Sequence, residues 1–296
     1  MKVVGFITPV TGILVVIFLF TIPLLLGNYF VTWLFTLAAI YSIFTISWGF
    51  LERYSGRPSL GHASALGIPA YLAAISYNLG FGILMPALIS VLAIFLLYYL
   101  LSLKLGKKEF IFATFVISIL LWVAAPRLVL GYGGTMVGGE EGFFLPPVPL
   151  KTIYLLSFLT LFITAMIYDF LARTGLGIKM GAVRDDELAA KALGVKIGRM
   201  KFFASLLSTL TAVAAGYLYS FLFSHVSPEI FSVELSVFPL IVSIGGLSAP
   251  RMTFLSFTLL FAARVLNAIA PQFHLVIYAA LLILFPVFGR RLYAQG

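Results

Sequence analysis

Long apolar runs, one after another, leave this chain a narrow choice of folds. Crossing the hydrocarbon core of a bilayer takes a helix of about 20 apolar residues. Runs of that kind recur at Ile7–Leu26, Phe30–Phe50, Gly82–Leu103, Phe110–Leu130, Thr152–Ala172, Phe202–Phe223 and Met252–Ala270, with shorter ones at His62–Tyr77, Phe231–Leu247 and His274–Phe288. Hydrophobic residues make up 62% of the chain and charged residues only 10%, where a soluble domain carries about 25% charged residues. No water-soluble fold hides so much apolar surface. The expected fold class is therefore all-α, a polytopic integral membrane protein with about ten hydrophobic segments and roughly eight to ten spans.

Charge placement orients these segments. With the N-terminus inside and the spans alternating, every Lys and Arg falls on the cytoplasmic side except Arg127, Lys151 and Arg264. That bias is the positive-inside rule, and it supports an even span count with both termini cytoplasmic. The net charge of +9 is thus a matter of topology rather than of nucleic-acid binding. Ile7–Leu26 is long and has no small-residue cleavage site, so it reads as a span that stays. Residues 1–296 read as a single membrane domain without internal repeat, and the outer loops are short except Gly131–Leu150.

Composition also excludes chemistry. The absence of cysteine removes disulfides, thiolate metal sites and cysteine nucleophiles. His62, His225 and His274 are scattered, which makes a metal site improbable. No phosphate-binding loop, zinc-protease motif or hydrolase triad frame is present, so no cofactor is expected and any ATP hydrolysis belongs to another chain.

The long polar exception is Thr174–Ser220, which carries Lys179, Arg184, Lys191, Lys196, Arg199 and Lys201 together with Asp185, Asp186 and Glu187. Asp185 is placed to cap a short helix over Asp186–Leu193, with acids where the helix dipole favours them. Glu187 and Lys191 stand four apart in the favourable order, and Gly194 suits the position just past the helix end. Leu188, Ala189, Ala192 and Leu193 share one side, a face on which so short a helix can be held. The same residues also suit a helix resting on lipid headgroups.

The run RDDELAAKALGVKIGRMKFFASLLSTLTAVAAGYLYS resembles the large cytoplasmic loop and following helix of the branched-chain amino-acid ABC transporter permease family, the LivM-type membrane subunit. The importer signature of Glu-Ala-Ala, three residues and Gly is met by Ala189, Ala190 and Gly194, with Glu187 displaced by one residue. The resemblance implies a coupling loop at about residues 173–201 whose helix sits in a cleft of a partner ATPase. It assigns Arg184, Asp185, Asp186, Glu187, Ala189, Ala190 and Gly194 to that coupling. It further implies a second homologous permease forming a heterodimer, two ATP-binding cassette subunits, an extracytoplasmic solute-binding protein, and residence in a prokaryotic plasma membrane.

Two other stretches carry the resemblance. SGRPSLGHASALGIPAY, beginning at Ser55, is similar to the family's early signature, which lies near the translocation path and packs small-faced helices tightly. Ser59, Gly61, His62 and Gly67 are the path candidates it supplies. From the residues alone, this stretch reads first as a cytoplasmic loop with a tight helix start, and a lone His as a hydrogen-bonded structural group. SPEIFSVELS, beginning at Ser227, matches a further family region and adds Glu234 as a path candidate, with Arg264 and Asn267 as partners for its carboxylate. Pro228 and Ser227 are placed to start and cap the helix there. The turn after Gly245-Gly246 departs from the family's glycine-rich pattern. Gly131–Leu150, with Glu140 and Glu141, reads as a flexible solvated loop or as a docking lip for a binding protein.

The implied substrate is a branched-chain amino acid, with urea or short amides as the alternative. Two other classes remain: an ion-coupled secondary carrier using Asp169, Glu234 or Arg264, and a membrane enzyme using His62 or His225 as base.

Overall fold

The computed structural model describes residues 4–269 apart from 83, 133 and 134. The segment His274–Phe288, the basic residues Arg290 and Arg291, and Lys2 lie outside the described residues. The helices are α1 (Val4–Leu26), α2 (Tyr29–Ser55), α3 (Ala63–Asn78), α4 (Leu84–Lys104), α5 (Lys107–Ala124), α6 (Leu150–Leu171), α7 (Gly175–Asp185), α8 (Glu187–Ala192), α9 (Ile197–Phe223), α10 (Val233–Ser243) and α11 (Ala249–Ile269). The strands are β1 (Val129–Tyr132), β2 (Thr135–Gly138), β3 (Phe143–Phe144) and β4 (His225–Val226). The chain is thus mostly helical rather than all-α. Among the described residues, α2, α4, α5, α6 and α9 are long and apolar enough to cross a membrane.

Helix α2 is the hub, packing against α1, α6, α7, α9, α10 and α11. It is apolar nearly all round, which is the pattern of a helix enclosed by others. Leu37, Ala38, Ala39 and Ile40 are sealed from the surface. It packs along α9, whose buried residues include the small side chains Ala204, Ser208 and Ala212. Lipid gives no hydrophobic incentive for two apolar helices to associate, so close approach of small residues carries the packing. The buried hydroxyls of Ser42 and Thr45 donate to the carbonyls of Ala38 and Tyr41 at 2.8 Å, which satisfies them inside their own helix.

The two ends of the bundle differ. At one end lie the polar loops bearing Arg53, Arg57, Lys107, Arg184, Glu187 and Lys201, joined by hydrogen bonds and ion pairs. The opposite end carries β1 and β2, an antiparallel hairpin pairing Val129 with Gly138, and the β3–β4 ladder pairing Phe143 with Val226. The expected run Phe110–Leu130 therefore stops short as a helix. Pro126 sits in a 3-10 turn at its end, where a residue without an N–H cannot extend the ladder, and the chain passes into β1. The loop Gly131–Leu150, expected to be flexible and solvated, is likewise held to the bundle. Leu145 N donates to Ser224 O at 2.9 Å, and Asn78 Nδ2 to Phe144 O at 3.0 Å. Gly142, at φ +75°, passes so close to Val226 that a Cβ would meet its carbonyl oxygen at 2.0 Å.

Two glycines separate close packing from helix propensity. A Cβ on Gly216 of α9 would lie 2.4 Å from Leu66 O of α3, whereas one on Gly181 of α7 meets open space. Gly216→Val should destabilise the protein by about 2 kcal/mol through overpacking, and Gly181→Ala should stabilise it by about 0.5 kcal/mol. Thermal unfolding in detergent reads both. Equal Tm values for the two variants would mean that α3 and α9 do not meet as described.

Candidate functional site

The site is the polar end, and it is assembled from α7 inward. Thr174 caps α7, its side chain accepting from Gly177 N at 3.1 Å. Met180 and Val183 are buried where α7 lies along the end of α2. The sequence does not announce α7, because Gly175, Gly177 and Gly181 are poor helix formers. Since α7 runs through Asp185, that residue cannot cap the next helix. The N-cap is Asp186, in extended conformation, whose Oδ1 accepts from Leu188 N at 2.8 Å and Ala189 N at 3.1 Å. Asp185 instead accepts from Arg184 Nε at 2.8 Å on the exposed surface. The far end of α8 closes as a Schellman turn. Gly194, at φ +79°, donates to Lys191 O at 3.0 Å, and Val195 N donates to Ala190 O at 3.0 Å.

Which face of α8 meets the protein differs from the expectation. Ala190 is 1% exposed, while Leu188 and Leu193 are 80% and 82% exposed, and Ala189 and Ala192 are also on the surface. The apolar side of the helix points away from the bundle. Glu187 sets this orientation, and its partner is not Lys191. Its Oε1 lies 2.9 Å from Arg57 Nη2 and its Oε2 lies 2.8 Å from Lys201 Nζ. Arg57 and Lys201 side chains are only 3% and 4% exposed, so both cations depend on this carboxylate. Arg57 also donates to Leu105 O at the end of α4, and Lys107 to Arg184 O. One glutamate thus ties α8 to the ends of α2 and α4 and to the start of α9. Burial pushes the Glu187 carboxyl up, but the Lys201 and Arg57 cations outweigh it and hold the group below its usual value of 4.5.

A second cluster sits beside this one. Arg53 Nη1 donates to Leu247 O at 2.8 Å, lies 3.7 Å from Asp169 Oδ1 and stacks over the Tyr168 ring at 5.1 Å. Asp169 also accepts from Ala249 N at 3.2 Å, so the turn between α10 and α11 is fastened to α2 and α6.

The path candidates separate. Ser59, Gly61, His62 and Gly67 lie in the packed interior. Ser59 O accepts from Trp48 Nε1 at 2.8 Å. His62 is sealed from solvent and stacked between Phe44 and Tyr98, with Nε2 at 2.7 Å from Ser47 Oγ and Nδ1 at 2.9 Å from Tyr98 OH. Gly61 abuts the Thr114 backbone and Gly67 the Phe231 ring. Glu234 borders a cavity of about 760 Å3 near the end that carries the strands. It has no ion pair among the described residues, and Arg264 stacks over the Trp33 ring at 5.3 Å instead. Ser232, rather than Ser227, caps α10, accepting from Leu235 N at 3.4 Å. Pro228 opens only a 3-10 turn.

Sequence reasoning missed Arg57 and Lys201 as partners of the loop helix. Both stand in polar stretches of the sequence, but no spacing tells which cation a carboxylate more than 100 residues from Arg57 will find. Likewise, Ser47 and Tyr98 come from separate helices, and nothing in the local sequence marks them as holding His62.

The described residues form a helical bundle with five helices able to cross a membrane and a capped polar helix at one end. Residues 30–286 match the family model for the branched-chain amino acid transport system permease component, and the chain belongs to that family. It is 28% identical to the high-affinity branched-chain amino acid transport system permease protein LivM of Salmonella typhimurium, covering 84% of this chain and 66% of that protein. It is 31% identical to LivM of Escherichia coli K12 over 45% of this chain and 31% of that protein. The chain thus spans just under two thirds of the Salmonella relative's length and less of the other's. A solved structure, PsaBC from Streptococcus pneumoniae in complex with Fab, aligns over 94% of this chain and 99% of its own with 19% identity and a TM-score of 0.47.

Because Glu187 titrates below its usual value, its contribution is complete above about pH 4.5 and fades only as pH falls through the depressed value. Amide-exchange protection of Glu187–Leu193 should be equal at pH 7 and pH 5. Glu187→Gln leaves two buried cations unpaired. It should cost about 2 kcal/mol of docking, roughly a 30-fold loss of protection. Unchanged exchange in the variant would mean that packing under Ala190, not the ion pairs, holds α8.

Proposed function

We propose that the chain is the permease subunit of a binding-protein-dependent ABC importer and that α8 is its coupling helix. One observation carries the reading: α8 is pinned from beneath by Glu187 while Leu188 and Leu193 face outward. A helix facing water alone gains nothing from exposing two leucines while its half-buried Glu187 is tied to two cations of the bundle. A helix that receives an apolar partner on one side and passes force to α2 and α9 on the other has reason for both. The partner is an ATPase subunit, one for each of two related permeases that together enclose the path. A soluble binding protein delivers solute to the outer end. ATP binding and hydrolysis move the ATPases, and α8 carries that motion to the spans, which alternate access between sides.

The relatives' names point to branched-chain amino acids as the solute, with urea or short amides as the alternative. Cytoplasmic placement of the polar end follows from its arginines and lysines. The cluster of Asp169 with Arg53 and Ala249 N supports a fastening role for that carboxylate rather than ion coupling.

The test uses the assembled transporter in vesicles. Leu188→Asp with Leu193→Asp alters only exposed positions, so insertion and Tm should hold while uptake and substrate-stimulated ATP hydrolysis fall at least tenfold. Gly194→Pro, which cannot hold the left-handed turn, and Ala190→Trp, which overfills the buried contact, should give the same loss. Full uptake in all three variants would remove the coupling assignment.

A further inference from the structure

Two of the membrane-crossing helices, α4 and α9, bring cations to the polar end and no carboxylate with them. No Asp or Glu occurs between Glu52 and Glu109, or between Glu187 and Glu229. Lys104 is the last residue of α4 and Arg199 the third of α9, so both stand where these spans leave the bilayer. Both are exposed, and neither has an ion pair among the described residues. Lys201, in the same turn as Arg199, is buried and held by Glu187. The Arg199 guanidinium lies only over the Phe203 ring, at 5.9 Å.

The seam next to these cations is fixed by contacts. A Cβ on Gly198 would lie 3.8 Å from Leu103 Cδ2. The Phe202 ring meets Phe95 at 5.1 Å and Tyr99 at 5.6 Å, both edge-on. Numbers fall along α4 as they rise along α9, so the two helices run antiparallel. Arg199, Phe202, Leu206 and Leu210 recur at helical spacing and share one face of α9. Phe202 and Leu210 are exposed on that face, and Leu96, Leu100 and Leu103 are exposed on α4. An apolar strip with an aromatic floor therefore runs from the two cations into the depth of the membrane. Aromatic rings at the interface and cations just beyond it suit an amphiphile with a negative head. A water-soluble partner could meet the cations but could not follow the strip.

We propose that the polar end of the α4–α9 seam seats an anionic phospholipid, its headgroup at Lys104 and Arg199 and an acyl chain along Leu100, Phe202 and Leu210. The charges supply selectivity for a lipid of net negative charge over a zwitterionic one. The apolar strip supplies selectivity for a lipid over a free phosphate. The inference needs the spans of α4 and α9 but not the coupling role of α8, so the two fail separately.

The test is native mass spectrometry of the full chain in mild detergent, titrated with phosphatidylglycerol, phosphatidylcholine or glycerophosphoglycerol, the headgroup without its chains. Phosphatidylglycerol should be retained in preference to the other two. Lys104→Gln with Arg199→Gln should weaken its retention about tenfold. Lys151→Gln with Lys179→Gln removes the same charge from exposed sites elsewhere and should leave retention within about twofold. Thermal unfolding gives a second reading. Replacing phosphatidylcholine by phosphatidylglycerol should raise the Tm of the wild type and the control variant, and raise that of the seam variant less. Equal retention of phosphatidylcholine, equal retention of the free headgroup, an unchanged seam variant, or an equal loss in the control variant would overturn the proposal.

Discussion

Two buried cations share one glutamate, and the polar end of the molecule is organised by that arrangement. Arg57 stands just past α2 and Lys201 lies in the first turns of α9; neither is stable away from water without a carboxylate. Glu187 meets both and thereby fixes where α8 sits and how it is turned. A helix of six residues has no independent stability. Its existence rests on the Asp186 cap, the left-handed Gly194 turn and this ion-pair anchor. The outward face of Leu188 and Leu193 is a consequence, because the anchor and Ala190 occupy the inward one.

Rigidity beneath the anchor gives it mechanical meaning. Helix α2 packs along α9 in a dense interior, so a displacement at the ends that bear Arg57 and Lys201 has little slack to be lost in. Interior polar groups reinforce this. His62 is clamped between Ser47 and Tyr98, and Tyr54 OH reaches Tyr168 O at 2.6 Å. Arg53 ties the turn after α10 to the same hub. The polar groups of the interior thus act mainly as fasteners between helices, while Glu234 at its cavity stands apart from that framework.

Much of this was legible in the residues. The apolar runs marked the five helices long and apolar enough to cross a membrane, though about ten segments were expected, and Asp186, Ala190 and Gly194 all fell in a stretch readable as a capped helix. The misreadings share a physical origin. Asp185 and Asp186 are equally good caps, and only α7 decides between them; α7 itself was hidden by its glycines. The apolar side of α8 was expected to face inward because burial is the usual fate of leucine, yet a distant ion pair overrules it. The outer loop looked free because its strand partner, His225–Val226, lies some 80 residues away. Local sequence specifies caps and spans; it does not specify which remote group will satisfy a charge or a strand edge.

The most direct test exploits the absence of native cysteine. A single cysteine in place of Leu193 can be probed with a membrane-impermeant maleimide in sealed vesicles of known orientation, with and without the ATPase subunits. The account predicts labelling from the cytoplasmic side only, and protection once the ATPases are bound. Labelling from the exterior, or cytoplasmic labelling that the ATPases leave unchanged, would contradict it.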